Sequence, residues 1–304
     1  MARSSHSFNF PTCPICENSN WITVYEGPIR NGSFGNEIDA EIRACTGCGV
    51  QRLAENICLK HNDYETAEYR QHLKQTHELV PHFTTQDELV KFVLDLLWPT
   101  SLRGKVVTDV GCGGGSLLDH LQGLTNQLIA VEPDQGWQDT LMARGYHCFP
   151  STESALQHWE GKVDVVISTQ VIEHVDDPKS FIASLYHLLK EDGLAIISTP
   201  NRKDILMELI PNEFRSFFYR TQHRWAFDEY SLRKCAELAG VKAIEVRHVH
   251  RYGISNTVHW LKDKLPRGRA SIPVFDNSID QLWQLWLETN GYSDNLSMLI
   301  RKED

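Results

Sequence analysis

The run Val106-Val107-Thr108-Asp109-Val110-Gly111-Cys112-Gly113-Gly114-Gly115-Ser116 constrains this chain more than any other stretch. Its first half is β-branched and apolar, as a strand buried on both faces requires, and it ends abruptly in glycines. Glycine lets a backbone turn where a side chain would obstruct it, and lets that backbone approach a ligand closely. A helix read from Ser116 would turn its first N–H groups toward the same crevice. A dinucleotide fingerprint would want glycines at 111, 113 and 116, but position 116 is serine. The glycines stand instead at 111, 113 and 115, behind Asp109. That pattern suits a ligand without a pyrophosphate, and a carboxylate at the strand's end can reach an ammonium group.

From residue 104 onward, strand and helix patterns alternate. Strands are expected at 105–110, 128–131, 146–149, 163–168 and 194–198, with helices at 116–124, 135–144 and 178–189 between them. Such alternation implies an α/β fold, parallel strands with helices on both faces. A further helix over 228–239 ends at Gly240, and strands follow at 243–249 and 295–301. The second strand closes with Val131-Glu132-Pro133-Asp134, about 20 residues past the loop, where an acidic side chain can accept hydrogen bonds from both hydroxyls of a ribose. Glu132 is the candidate; Asp134 reads as a helix N-cap.

Asp-Val-Gly-Cys-Gly-Gly-Gly at 109–115, Val-Glu-Pro at 131–133 and Val171-Ile172-Glu173-His174-Val175-Asp176-Asp177-Pro178 together resemble the class I methyltransferase family over roughly residues 104–250. The resemblance implies a doubly wound, mostly parallel seven-stranded sheet and S-adenosylmethionine as methyl donor. It also implies Gly111, Gly113 and Gly115 beneath the donor's methionine part, Glu132 on its ribose and Gln170 beside it. Asp109 is the carboxylate that would meet the ammonium. At 151–153 the chain has Ser-Thr-Glu where the family frequently has an Asp, so Glu153 is either the adenine contact or a solvated helix start.

Methyl transfer from a sulfonium needs an in-line nucleophile and little acid–base help, unless that nucleophile must first lose a proton. His174, with an ordinary pKa near ~6.5, would suit that task, or it simply orders its loop. His223 lies among aromatics in the segment 211–227 and is a second candidate, as catalytic residue or substrate contact.

Two Cys-x-x-Cys knuckles, Cys13/Cys16 and Cys45/Cys48, carry the second strong signal. Four thiolates at that spacing make a closed tetrahedral site, which predicts structural Zn2+ in a small ribbon over residues 1–55. A redox pair is the competing reading. About 40 residues around such a site could hardly fold without the metal. A zinc ribbon ahead of such a domain is similar to bacterial methyltransferases of nucleotide-linked sugars and surface-glycan precursors. In that group the segment after the ribbon helps cover donor and substrate. Residues 56–100 are accordingly expected as a helical lid, with Tyr64 and Tyr69 either facing substrate or packing on the ribbon.

The remainder, 101–304, is expected to be the methyltransferase domain, with 250–294 inserted between its last two strands. A connection this long and this aromatic is expected to be ordered and functional. Tyr252 and Asn256 are its candidate substrate contacts. The Trp283/Trp286 spacing reads as helix packing, which a homo-oligomer interface could use.

A formal net charge of −10 disfavours nucleic acid, whose affinity rests on Lys and Arg neutralising phosphates. No stretch approaches the ~18 consecutive apolar residues of a membrane span, and the N-terminus does not read as a secretory signal, so a cytoplasmic protein is expected. The favoured reading is O- or C-methylation of a small molecule, a sugar or a nucleotide-linked sugar or glycan precursor. An RNA methyltransferase and a non-catalytic protein that binds S-adenosylmethionine stand as alternatives, while Ser116 argues against a nicotinamide enzyme.

Overall fold

The computed structural model describes residues 8–60, 77–98 and 100–303. Tyr64 and Tyr69 lie outside them. The chain falls into two compact units, one of residues 1–59, 199–235 and 246–297, the other of 60–198, 236–245 and 298–304.

The first unit holds a four-stranded sheet. β1 (Trp21–Arg30), β2 (Glu37–Cys45) and β3 (Gln51–Leu53) form a meander, and β9 (Trp225–Ala226) adds to β3 by pairing Ala226 with Gln51 and Trp225 with Arg52. The reading of 1–55 as a module of its own did not anticipate this fourth strand. Ile29, Ala40, Ile42, Leu53 and Tyr219 form its buried core. The Tyr219 hydroxyl donates to Gln51 Oε1 at 2.7 Å, which satisfies a polar tip inside that core.

The long connection after β10 (Ala243–Val249) is ordered, and carries the helices α9 (Ile254–Asp263) and α10 (Asn277–Asn290) before β11 (Asn295–Arg301). Asp276 caps α10 through the N–H groups of Ser278 and Ile279. Two short helices not foreseen from the sequence, α6 (Ile205–Leu209) and α7 (Pro211–Phe218), pack Ile205, Leu206 and Phe214 with Trp260 and Leu287.

The second sheet has seven strands in the order β10-β11-β8-β7-β4-β5-β6. Its centre comprises β4 (Val106–Val110), β5 (Gln127–Val131), β6 (His147–Phe149), β7 (Val163–Thr169) and β8 (Leu189–Pro200), all paired in parallel. Apart from Asp164, Ser168 and Thr169, β7 reads as a continuous apolar run, because helices cover both sheet faces. Asp164 sits at its start, accepting from the Val106 N–H at 2.9 Å and paired with Lys105 and Lys190. Burial raises its carboxyl, but these partners together outweigh that and hold it below the usual range.

The remaining helices are α1 (Leu79–Leu97), α2 (Ser116–Leu121), α3 (Gln135–Ala143), α4 (Thr152–Trp159), α5 (Pro178–Leu188) and α8 (Glu229–Leu238). Asp134 does cap α3, accepting from Gly136 and Trp137, and Asp177 caps α5, which has Pro178 at its first position. The chain runs from β4 outward to β6, then returns to β7 on the other side of β4. A crevice therefore opens at the carboxyl ends of β4 and β7.

Candidate functional site

The bend after β4 lies at that crevice. Gly111 has φ +77°, and a Cβ there would stand 2.3 Å from Cγ2 of Val171, so both conformation and space require glycine. The Gly111 N–H donates to the Val131 carbonyl at 2.7 Å, tying the bend to the end of β5. Glu132, 4% exposed, completes the brace: Oε2 accepts from the Gly113 N–H at 2.7 Å and Oε1 from the Asp134 N–H at 3.0 Å. Gly115 ends the bend at φ +83° as the residue before α2, and a Cβ on it would stand 2.6 Å from Leu141.

Asp109 is also 4% exposed. Burial, and the nearby Glu132 charge, push its carboxyl up to about 7. A cation here would favour the ionised form of both groups, so this carboxylate pair fits an ammonium-bearing ligand.

β7 delivers Gln170 in a left-handed conformation at φ +57°, with its N–H donating to the Ser198 carbonyl at 2.9 Å. A non-glycine residue held there costs about 1–3 kcal/mol, a strain that concentrates at ligand clamps. The turn that follows is closed by the His174 N–H on the Val171 carbonyl. Glu173 is fully buried, and its carboxylate lies 3.9 Å from Nε2 of His174, whose side chain is 19% exposed. Asp109, the three glycines, Glu132, Gln170 and His174 therefore gather at the carboxyl ends of neighbouring strands. Glu153 does not join them by burial: it is exposed, in the first turn of α4.

Sequence reasoning missed two histidines near the start of α1. His82 Nε2 accepts from the Gly114 N–H at 3.1 Å, and His77 Nε2 lies 2.8 Å from Asp134 Oδ1. Both rings pack on Trp137, with centroids 4.5 and 5.0 Å away. A helical segment is expected over 56–100, but no local pattern foretells that these histidines reach the glycine bend. On the far side, Arg144 binds Asp119 at 2.7 and 2.8 Å and also donates to the Gly114 carbonyl.

In the other unit, His223 is 9% exposed and its Nε2 accepts from Arg220 Nε at 2.7 Å. That lone pair is therefore in use. Tyr252 is half-buried with the Arg251 guanidinium 5.8 Å from its ring centroid, and Asn256 is buried with Nδ2 donating to the Gly268 carbonyl at 2.8 Å.

The same unit holds the four knuckle cysteines. Cys13 and Cys48 Sγ are 3.7 Å apart, Cys16 and Cys45 Sγ 3.4 Å, and all four lie within 4.8 Å of one another. Tetrahedral zinc with Zn–S bonds of about 2.3 Å would set sulfurs roughly 3.8 Å apart, so the set fits such an ion. Each knuckle turns tightly, the Glu17 N–H donating to the Cys13 carbonyl and the Gly49 N–H to that of Cys45. A Cβ on Gly47 would stand 2.9 Å from Cys16 Sγ.

A family model described as "Methyltransferase domain" matches residues 82–246, more than half of the chain. The chain belongs to this family. The match begins at His82 and covers every strand-end residue of the crevice, while the cysteine cluster and the α9–α10 segment of this methyltransferase-domain protein lie outside it. A ubiquinone biosynthesis O-methyltransferase of Glaesserella parasuis serovar 5 (strain SH0165) is 35% identical over 122 residues, covering 33% of this chain and 48% of that protein. Another, of Methylococcus capsulatus (strain ATCC 33009 / NCIMB 11132 / Bath), is 30% identical over 154 residues, 42% and 64% respectively. The chain thus spans about half to just under two thirds of these curated relatives' length.

Among solved structures, a SAM-dependent methyltransferase from Archaeoglobus fulgidus superposes with TM-score 0.51 at 16% identity, over 77% of this chain and 98% of that one. A complex of the Haloferax volcanii Trm112 methyltransferase activator with a methyltransferase gives 0.52 at 12% identity, over 74% and 95%. These likenesses confirm the α/β fold expected from the sequence. The named relatives act in ubiquinone biosynthesis, and none of the matches described here is a sugar enzyme. Among the described residues, no helix is long and apolar enough to cross a membrane.

Proposed function

We propose that the chain is a cytoplasmic S-adenosylmethionine-dependent methyltransferase that acts on a hydroxyl-bearing small molecule, a sugar or nucleotide-linked sugar. The observation that carries this reading is the bend at Gly111–Gly115, braced by buried Glu132 and backed by buried Asp109. When bound, the donor supplies an electrophilic methyl on a sulfonium. Asp109 pairs with its ammonium, Glu132 accepts from its ribose hydroxyls, and Gln170 flanks it. His174 takes the proton from the acceptor hydroxyl, with Glu173 stabilising the charged ring. Glu153, exposed on α4, is kept as the adenine contact, and Tyr64 and Tyr69 as residues of a cover over substrate. His223 is kept as a catalytic residue or substrate contact, and Tyr252 and Asn256 as contacts to the acceptor.

The cysteine cluster holds one structural Zn2+, and residues 1–55, 56–100 and 101–304 serve as ribbon, cover and catalytic domain. The names of the relatives support oxygen as the acceptor atom and make a precursor of ubiquinone the other acceptor class to test. The α9–α10 segment lies outside the family match, so what sets the acceptor there is this chain's own. The test is transfer of labelled methyl from the donor to sugar nucleotides, a ubiquinone precursor and RNA, each assayed separately. Turnover on sugar nucleotides alone supports the reading. Turnover on the ubiquinone precursor or RNA replaces the acceptor class, and donor binding without any turnover makes the chain a non-catalytic binding protein.

A further inference from the structure

A cavity of about 300 Å3 lies among Arg251, the first turns of α9 and α10, and the loop 268–271. That volume is at the lower end of the range for small-molecule pockets. The buried apolar cluster of Trp260, Leu287 and Phe214 does not line it, and the wall is polar. An apolar void of this size would stay dry, whereas a polar one calls for a polar occupant.

Part of that wall is structural. The Asp280 carboxylate accepts from the Ile254 N–H at 2.9 Å, tying α10 to the start of α9. It presses so closely that a Cβ on Gly253 would stand 2.2 Å from Oδ1. Asn256 holds the Gly268 carbonyl, and Ser255 Oγ accepts from the Ile272 N–H at 2.9 Å, which fixes the loop to α9. The cavity is therefore framed by groups whose own hydrogen bonds are made.

The rest of the wall is not engaged in that way. Arg251 Nε donates to Asp294 Oδ2 at 2.7 Å, and its backbone N–H to Oδ1 at 2.8 Å. This fixes the guanidinium while its two Nη groups make no hydrogen bond among the described residues, although the side chain is only 19% exposed. The amides of Gln281 and Gln284 also have no partner among the described residues. These donors face the cavity without a partner among the described residues, and a charged acceptor bonds a guanidinium about twice as strongly as a neutral one does, so an anionic occupant is favoured. Asp294 balances the Arg251 charge, while burial and the Asp294 charge push Asp204 close by up to about 8, toward its neutral form. Arg269 on the cavity wall offsets Asp280, and the amino-terminal ends of α9 and α10 add positive potential.

We propose that this cavity binds a two-oxygen anion, phosphoryl or carboxylate, carried on a hydroxylated small molecule. Arg251 grips the anion with its open fork, and Asp280, Gln281 and Gln284 meet the hydroxyls. The inference deepens the acceptor reading above and rests on it only in treating the occupant as the methyl acceptor. A planar fork held by a carboxylate at Nε matches such an anion in two parallel bonds, which a lysine could not do. A neutral sugar would leave that fork unmatched.

The test is calorimetry on the full, zinc-loaded chain at low ionic strength with glucose 1-phosphate, glucuronate and glucose. At least one anionic probe should bind about tenfold or more tightly than glucose, and the tighter of the two names the anion. Arg251→Lys should weaken it about tenfold. Because Arg251 also supports Asp294, Gln284→Glu on the surface of α10 provides a second arm: it sets a negative charge in the wall and should weaken the anion about tenfold. The inference is overturned by equal binding of glucose, by no anion binding, or by wild-type affinity in both variants. S-adenosylhomocysteine is titrated in the same samples. Its failure would sink the donor reading, while the anion result stands by itself.

Discussion

A methyl group added to Gly111 would meet Val171 Cγ2 at 2.3 Å, which puts the glycine bend and the turn after β7 in direct register. Gly111→Ala adds about 1–2 kcal/mol for a left-handed alanine to about 1–3 kcal/mol of overpacking. The variant should melt several degrees lower, and Val171→Ala in the same chain should recover only the overpacking part. Full recovery, or none, in thermal unfolding would show that the two residues do not oppose each other in this way.

Burial holds Asp109 near 7, whereas an unfolded aspartate titrates near ~3.9. Between these values the folded chain keeps a proton that the unfolded chain has lost. This group's contribution to stability is therefore full below about pH 4 and is lost as pH rises through about 7. Asp109→Asn removes the effect, so its melting temperature relative to wild type should rise from pH 5 to pH 8. A constant difference across that range would refute the assignment. An ammonium ligand favours the ionised carboxylate, so the wild-type chain should also bind donor more tightly at pH 8 than at pH 6, and the variant should not.

The cysteine cluster should hold one zinc ion per chain, measured by elemental analysis of protein purified without chelator. Removing it should unfold the two knuckles, one before β1 and one between β2 and β3, and lower the melting temperature, and added zinc should restore it. Replacing Cys48 by Ser should mimic metal loss. Metal-free protein with unchanged stability would make these four thiols something other than a structural site.

His174 has two roles open to it, and one variant separates them. As the base, it should lose about 10²–10⁴ in turnover on replacement by Ala while donor affinity holds. As a residue that only orders its turn, it should lose donor affinity along with turnover, because Gln170 and Val171 belong to the same turn.

Much of this was legible in local sequence. β4 and its glycines announced themselves because a fully buried strand and a bend without side chains leave distinctive residue types. Asp134 could be read as a cap from its place between a strand and a helix, and the strands flanking 250–294 from their apolar runs. What could not be read depended on partners far along the chain. β9 is two residues long, and only its pairing with Gln51 and Arg52 makes it a strand. His82 on Gly114 joins residues 32 apart, and the Arg251–Asp294 pair residues 43 apart. No periodicity encodes such meetings. Glu132 was half legible: its place at the end of β5 suggested a ligand contact, while its brace on the Gly113 N–H appears only in three dimensions.

The most direct measurement is calorimetric titration of S-adenosylhomocysteine into the zinc-loaded chain, wild type beside Glu132→Ala. One product molecule should bind per wild-type chain, and the variant should lose about tenfold to a hundredfold in affinity, the worth of hydrogen bonds to a buried carboxylate. No heat with wild type, or the same affinity without the Glu132 carboxylate, would contradict the seat assigned to the methyl donor.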